Sequence, residues 1–227
     1  MTPEEKAALE SIVGVVSRET VVALESFIAQ FRLWSARINL AAPTTIPDLF
    51  HRHVLDSAQL PRLAPDANRW LDLGSGGGFP GAIVAILMRD KQNSKVELVE
   101  SNRKKAAFLA AALARAGAPA RVHAVRIEEA GRLVPSADIV TARALAPLDK
   151  LLELADPWLR SGAIGLFHKG RDWRREIEES GRAARYDLLS HPSAIDAEGV
   201  ILRVTHRRNN VAANPGCGDE LQKPART

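Results

Sequence analysis

The chain has 227 residues, 46% of them hydrophobic, with 31 basic and 27 acidic side chains and a formal net charge of +4. Its one cysteine, Cys217, excludes an intrachain disulfide and any cysteine-based metal cluster. No apolar run approaches the roughly 18 to 20 residues that a membrane-spanning helix needs, and the N-terminal Met-Thr-Pro-Glu-Glu-Lys has no secretory core behind it. A cytoplasmic α/β protein is therefore expected.

Residues 1–65 read as a helical extension packed on a main domain over 66–208. Thr2, Pro3 and Glu5 fit an N-cap, a first-turn proline and a capping-box acid. Leu24, Phe27, Ile28, Phe31, Trp34 and Ile38 recur at steps of three and four, which is one apolar stripe on a helix of about 20 residues, suited to core packing. A third helix is expected over about Ile46 to Leu60, with Pro61 and Pro65 closing it. From Arg69 the texture changes. Short apolar runs at Trp70–Leu73, Val96–Val99, Arg121–Val125, Asp138–Thr141 and Ala163–Phe167 alternate with helical patterns at 81–90, 103–116 and 147–160, plus a short one near 127–133. That alternation predicts a mostly parallel sheet covered on both faces. Residues 185–206 hold two strand-like pieces without a helix between them, which predicts a closing antiparallel hairpin. The stretch 209–227 lacks period and apolar content and reads as a mobile tail.

The densest chemical signal is Arg69-Trp-Leu-Asp-Leu-Gly-Ser-Gly-Gly-Gly-Phe-Pro-Gly81, an apolar strand ending in an acid and running into a glycine-rich loop. Such a loop lets a ligand approach the main chain closely. Two registers compete. Gly76-Gly-Gly78-Phe-Pro-Gly81 satisfies the dinucleotide pattern G-x-G-x-x-G. Asp72-Leu-Gly74-Ser-Gly76-Gly-Gly78 is the arrangement typical of S-adenosylmethionine-dependent methyltransferases. Because the strand ends near Leu73, Gly74 takes the place of the first dinucleotide glycine, and the third would fall on Phe79. Phe79 and Pro80 would also crowd a pyrophosphate, so the methyl-donor register is preferred.

Glu100 ends the second strand, where a carboxylate can accept from both ribose hydroxyls; either cofactor would use it. Glu128 and Glu129 follow the third strand, as adenine-edge contacts or as first-turn acids favoured by the helix dipole. Residues 101–127 carry six basic side chains (Arg103, Lys104, Lys105, Arg115, Arg121 and Arg126) and no acids, and Lys169, Arg171, Arg174 and Arg175 form a second basic group. Both suit phosphate contact, with Arg103, Lys104, Arg126 and Lys169 the chosen RNA candidates. His51 and His53 face different sides of a helix, so no metal site is expected; His53 shares a face with Asp56, for a local hydrogen bond or a place at a substrate mouth.

Six segments, Arg37-Ile-Asn-Leu40, Arg52-His-Val-Leu-Asp-Ser57, Asp72–Gly81, Arg126-Ile-Glu-Glu129, Thr141-Ala-Arg-Ala144 and Lys169-Gly170, together resemble the bacterial small-subunit ribosomal RNA methyltransferase G family, also called glucose-inhibited division protein B. The resemblance covers roughly residues 20 to 205. It implies a Rossmann-like methyltransferase fold with an N-terminal helical extension, S-adenosylmethionine as cofactor, and methylation of N7 of a guanine in the 530 loop of 16S rRNA, free or in an assembling small subunit. The donor contacts it implies are Gly74, Phe79, Ile127, Glu128 and Arg143; Gly76 and Glu100 join them from the loop register and the strand end. Arg143 could meet the donor's carboxylate or an RNA phosphate, or be held in structural pairing. Glu100 stands where many family members have aspartate. N7 carries no proton, so no catalytic base is expected. A methyltransferase acting on a small molecule or protein, and a non-enzymatic RNA- or nucleotide-binding module, are the alternatives.

Overall fold

The structure, a computed structural model, describes residues 1–207; the expected tail at 209–227 and Cys217 lie outside them. Helices α1 (Pro3–Val13) and α2 (Arg18–Ser35) open the chain. Thr2 Oγ1 accepts the Glu5 N–H at 3.2 Å and Glu5 Oε2 accepts the Thr2 N–H at 2.8 Å, so the capping box closes as its sequence pattern suggests. The stripe of α2 buries Leu24, Phe27 and Phe31, but the helix stops at Ser35 and Ile38 packs from the loop beyond.

The helix expected over 46–60 is instead a series of short pieces. A 3₁₀ turn at Pro43–Thr45 and a π-helical stretch at Phe50–Leu55 lead into α3 (Asp56–Ala58) and α4 (Leu60–Leu63). Pro61 starts α4 rather than closing a helix, because a proline is tolerated in a first turn where its missing N–H costs least.

Seven strands form one sheet: β1 (Arg69–Leu73), β2 (Lys95–Val99), β3 (Ala120–His123), β4 (Ile139–Arg143), β5 (Ile164–Lys169), β6 (Tyr186–Pro192) and β7 (Val200–His206). Their order is β3-β2-β1-β4-β5-β7-β6. The first five strands are parallel, and the expected hairpin closes the edge with β7 antiparallel to both β5 and β6. Between strands run α5 (Gly81–Leu87), α6 (Arg103–Ala116), α7 (Ile127–Ala130), α8 (Leu148–Arg160) and α9 (Trp173–Glu179). The last of these has no counterpart in the sequence reading. It buries no residue, so it carries no apolar stripe to reveal it.

Alternation along the strands builds two cores. Trp70, Val96, Leu98, Ile139, Leu166 and Ile201 face α5, α6 and the N-terminal helices; Leu71, Leu73, Val99, Val140, Phe167 and Leu202 face α8. Asp72 follows the parity of Trp70, which aims a carboxylate at the start of α5.

Candidate functional site

From β1 the chain crosses to β2 on one side of the sheet, whereas β4 lies on the other. A doubly wound sheet opens a crevice at such a reversal, at the C-terminal ends of the strands. Here it is a cleft of about 1650 Å³, and Gly74, Gly76, Phe79, Glu100, Ile127, Glu128 and Arg143 all line it.

The floor is the glycine loop. Gly74 has φ +66°, a backbone angle that favours glycine, and a Cβ placed there would lie 2.5 Å from Leu145 Cδ1, a side-chain tip that would have to shift. Glu100 is buried at the end of β2. Its Oε2 accepts the Gly76 N–H at 2.8 Å and its Oε1 accepts the Asn102 N–H at 2.7 Å. The carboxylate therefore ties the loop to β2, yet each oxygen keeps a second lone pair for a ligand hydroxyl. Ile127 and Glu128 stand on the first turn of α7, with Ile127 half-buried and Glu128 exposed.

Asp72 sits beneath the loop, 1% exposed. Thr141 Oγ1 donates to its Oδ1 at 2.7 Å, while Oδ2 has no hydrogen-bond partner. Burial pushes its carboxyl up to about 6, against the pull of the Thr141 hydrogen bond. A Cβ on Gly81 would meet Asp72 Oδ2 at 2.5 Å, so the acid lies against the first residue of α5. A dinucleotide would bring its pyrophosphate to that same helix start. A carboxylate already in place there repels it, which favours the methyl-donor register.

Phe79 turns inward from the loop rather than lying open to the cleft. It is 6% exposed and packs on Phe27 and Phe31 of α2, with ring centroids 5.9 and 5.3 Å away. The helical extension thus supplies the hydrophobic backing of the loop. His53, from the π-helical stretch, stacks on the same ring at 5.0 Å with the planes 24° apart.

Arg143 ends β4 and is already engaged by protein. Its guanidinium donates to the Arg52 carbonyl at 3.2 Å, to Asp56 Oδ2 at 3.2 Å and to His53 Nδ1, and lies 5.4 Å from the centre of Phe79. An arginine can only donate, so His53 Nδ1 is unprotonated and its Nε2–H faces Thr45 Oγ1 at 2.9 Å. Burial first, then the charges of Arg143 and Arg52, lower His53 to about 4, so it is neutral. Asp56 also accepts from Gln59 Nε2 at 3.0 Å and Ser193 Oγ at 3.3 Å, and its carbonyl accepts from His168 Nε2 at 3.1 Å. The shared helix face of His53 and Asp56 was legible in the sequence; that both close on Arg143, 87 or more residues away, was not.

The basic candidates divide. Arg103 and Lys104 are exposed at the start of α6, outside the cleft wall, and Arg126 is exposed on its rim. Lys169 is different. Its side chain is 7% exposed, its Nζ lies 2.5 Å from Glu176 Oε2, and it also donates to the Ala146 carbonyl at 3.2 Å. Glu176 Oε2 accepts the Leu148 N–H at 2.6 Å as well, capping α8 from α9. Lys169 is therefore a buried structural cation, not an open surface charge. In the second basic group Arg175 pairs with Glu179 at 2.6 Å. Among the described residues, no group of three or more His, Cys, Asp or Glu side chains could hold a metal ion, and no helix is long and apolar enough to cross a membrane.

A parallel sheet with this strand order, a glycine loop after β1 and a carboxylate at the end of β2 defines a Rossmann-like methyltransferase. Residues 21–197 match the family described as GidB, rRNA small subunit methyltransferase G, and the chain belongs to that family. Proteins named Ribosomal RNA small subunit methyltransferase G are similar over most of its length. The one from Chelativorans sp. (strain BNC1) is 55% identical over 208 residues, covering 92% of this chain and 99% of that protein. The one from Brucella canis is 52% identical over 201 residues, covering 88% and 94%. Among solved structures, cofactor-bound Rv0187 from MTB superposes with a TM-score of 0.60 at 18% identity, over 92% of this chain and 100% of that one. The O-methyltransferase TomG from Streptomyces achromogenes, in complex with SAM, gives 0.54 at 17% identity, over 90% and 97%. At such identities these two share the fold alone.

Proposed function

We propose that this protein transfers a methyl group from S-adenosylmethionine to N7 of a guanine in the 530 loop of 16S rRNA, in the cytoplasm, on free rRNA or an assembling small subunit. The observation that carries the reading is the Glu100 carboxylate, tied to the Gly76 N–H and still able to accept, facing a glycine-rich loop in a chain of this family. The residues present suit the donor: Glu100 for the ribose hydroxyls, the Gly74–Gly76 backbone beside its methionine part, and Ile127 and Glu128 along the adenine. Phe79 acts from behind the loop, by fixing its shape. The bound donor supplies an electrophilic methyl on a positively charged sulfur.

Guanine N7 has an in-plane lone pair and no proton, so the protein needs no general base. Its contribution is alignment within the cleft and exclusion of wrong poses, with Arg103, Lys104 and Arg126 drawing in phosphates. The test is mass spectrometry of 16S rRNA treated with the protein and labelled donor. Label at N7 of a 530-loop guanine is expected. Label absent from that loop, with an active enzyme and intact donor, would overturn the assignment.

A further inference from the structure

Arg143 carries three hydrogen bonds to protein groups, and all its partners come from one stretch of the N-terminal extension, Arg52 to Asp56. A guanidinium has five N–H donors, and a phosphate contact uses two of them in parallel. Here Nη1 serves a carbonyl and a carboxylate and Nη2 an imidazole, three of the five donors, and Asp56 supplies the counter-charge. The side chain is 18% exposed. Recruiting it to phosphate would strand Asp56, itself 13% exposed in the side chain, without its cation. His53 in turn stacks on Phe79, which with Pro80 ends the glycine loop before α5. One arginine thus joins the end of β4, the helical extension and the loop at the wall of the cleft.

We propose that Arg143, His53 and Asp56 form an internal clamp that holds the cleft wall in place for the acceptor base, so that Arg143 is a positioning residue and not a phosphate contact. The proposal rests on the methyltransferase reading for its effect on rate, but not for the clamp itself. The clamp makes the neutral His53 an acceptor, and Asp56 the group that keeps the guanidinium turned toward it. Breaking either contact frees the arginine and loosens the wall. A misplacement of about 1 Å near the reacting atoms costs on the order of a hundredfold in rate.

The experiment compares wild type with Asp56→Asn, His53→Phe, His53→Asn and Arg143→Gln in the full chain. Phenylalanine keeps the stack on Phe79 but offers no acceptor; asparagine restores an oxygen near the Nδ1 position. Methyl transfer to a 16S rRNA fragment holding the 530 loop, donor affinity by calorimetry and thermal midpoint are measured for each. Expected are kcat losses of about 10- to 100-fold for Asp56→Asn and His53→Phe with RNA KM within about threefold, and a partial recovery of kcat in His53→Asn relative to His53→Phe. RNA binding, followed by anisotropy against salt, should keep its slope in Arg143→Gln. A slope reduced by about one phosphate contact, or a raised KM at unchanged kcat, overturns the proposal. Histidine ¹⁵N NMR decides the clamp without turnover: His53 should show an unprotonated Nδ1 that shifts in Arg143→Gln, and an Nδ1-protonated ring would refute it. Should wild type transfer nothing to 16S rRNA while that signature is present, the functional reading fails and the clamp stands.

Discussion

Asp72→Asn probes how the glycine loop is built, because Asp72 is a buried acid placed under it with one carboxylate oxygen unpartnered. The ordinary carboxyl value is 3.8, and burial raises it to about 6 in the folded chain. At about 1.4 kcal/mol per pH unit, that difference is worth about 3 kcal/mol. The sign follows from proton affinity. The native state holds this proton more tightly than the unfolded chain, so the ionised group lowers stability by the full amount above about pH 6. The loss fades as pH falls toward 4, and between about pH 8 and pH 5 roughly 1.4 kcal/mol is regained. Asparagine keeps the shape and the acceptor for Thr141 Oγ1 but does not titrate. Urea unfolding of both proteins at matched ionic strength isolates the contribution, since other titrating groups cancel in the difference. Wild type should gain about 1.4 kcal/mol on the variant on going from pH 8 to pH 5. A difference flat to within about 0.3 kcal/mol, or one of opposite sign, would show that Asp72 is not the desolvated acid its burial implies.

Other substitutions test separate parts of the cleft. Gly74→Ala meets Leu145 Cδ1 at 2.5 Å with φ +66°; it should cost about 1–3 kcal/mol in urea unfolding and weaken donor binding at least tenfold by calorimetry. Glu100→Gln keeps one carbonyl acceptor in place of two charged ones, so donor affinity should fall about 10- to 100-fold, and unchanged affinity would remove Glu100 from the ribose role. Glu176→Gln removes the charge facing Lys169 and weakens the cap on α8; a loss of about 1–3 kcal/mol is expected. Arg103→Ala and Lys104→Ala should each lower the slope of log affinity against log salt by about one, whereas Lys169→Ala should leave that slope unchanged and lower the thermal midpoint.

Much of this architecture is written in local patterns. The Thr2–Glu5 capping box, the Leu24–Phe31 stripe and the alternating strands report themselves because caps and periodicity act over a few residues. The glycine loop is equally legible as a cofactor site, and the strand end with Phe79 and Pro80 chooses between its two registers. Where the packing partner is distant, the pattern fails. α9 buries none of its residues fully, so no stripe marks it, and the segment at 43–63 is broken into short pieces, one of them a π turn from which His53 reaches Arg143.

The side chains divide along the same line. The loop register and the strand end pointed to Gly76 and Glu100, the family resemblance implied Gly74, Phe79, Ile127, Glu128 and Arg143, and all seven line one cleft. What each can do there depends on its neighbours, and only the tertiary structure sets those. Lys169 and Arg103 are both basic side chains in the sequence; burial beside Glu176 makes the first a structural ion, and exposure on α6 leaves the second open to phosphate. For Arg143 the sequence leaves donor, RNA phosphate and structural pairing all open, and the fold surrounds it with Asp56 and His53. Charge and hydrogen-bonding capacity belong to the residue, whereas their availability is decided by the neighbours the fold brings to it, seven residues away for Lys169 and Glu176 and 87 or more for Arg143 with Asp56 and His53.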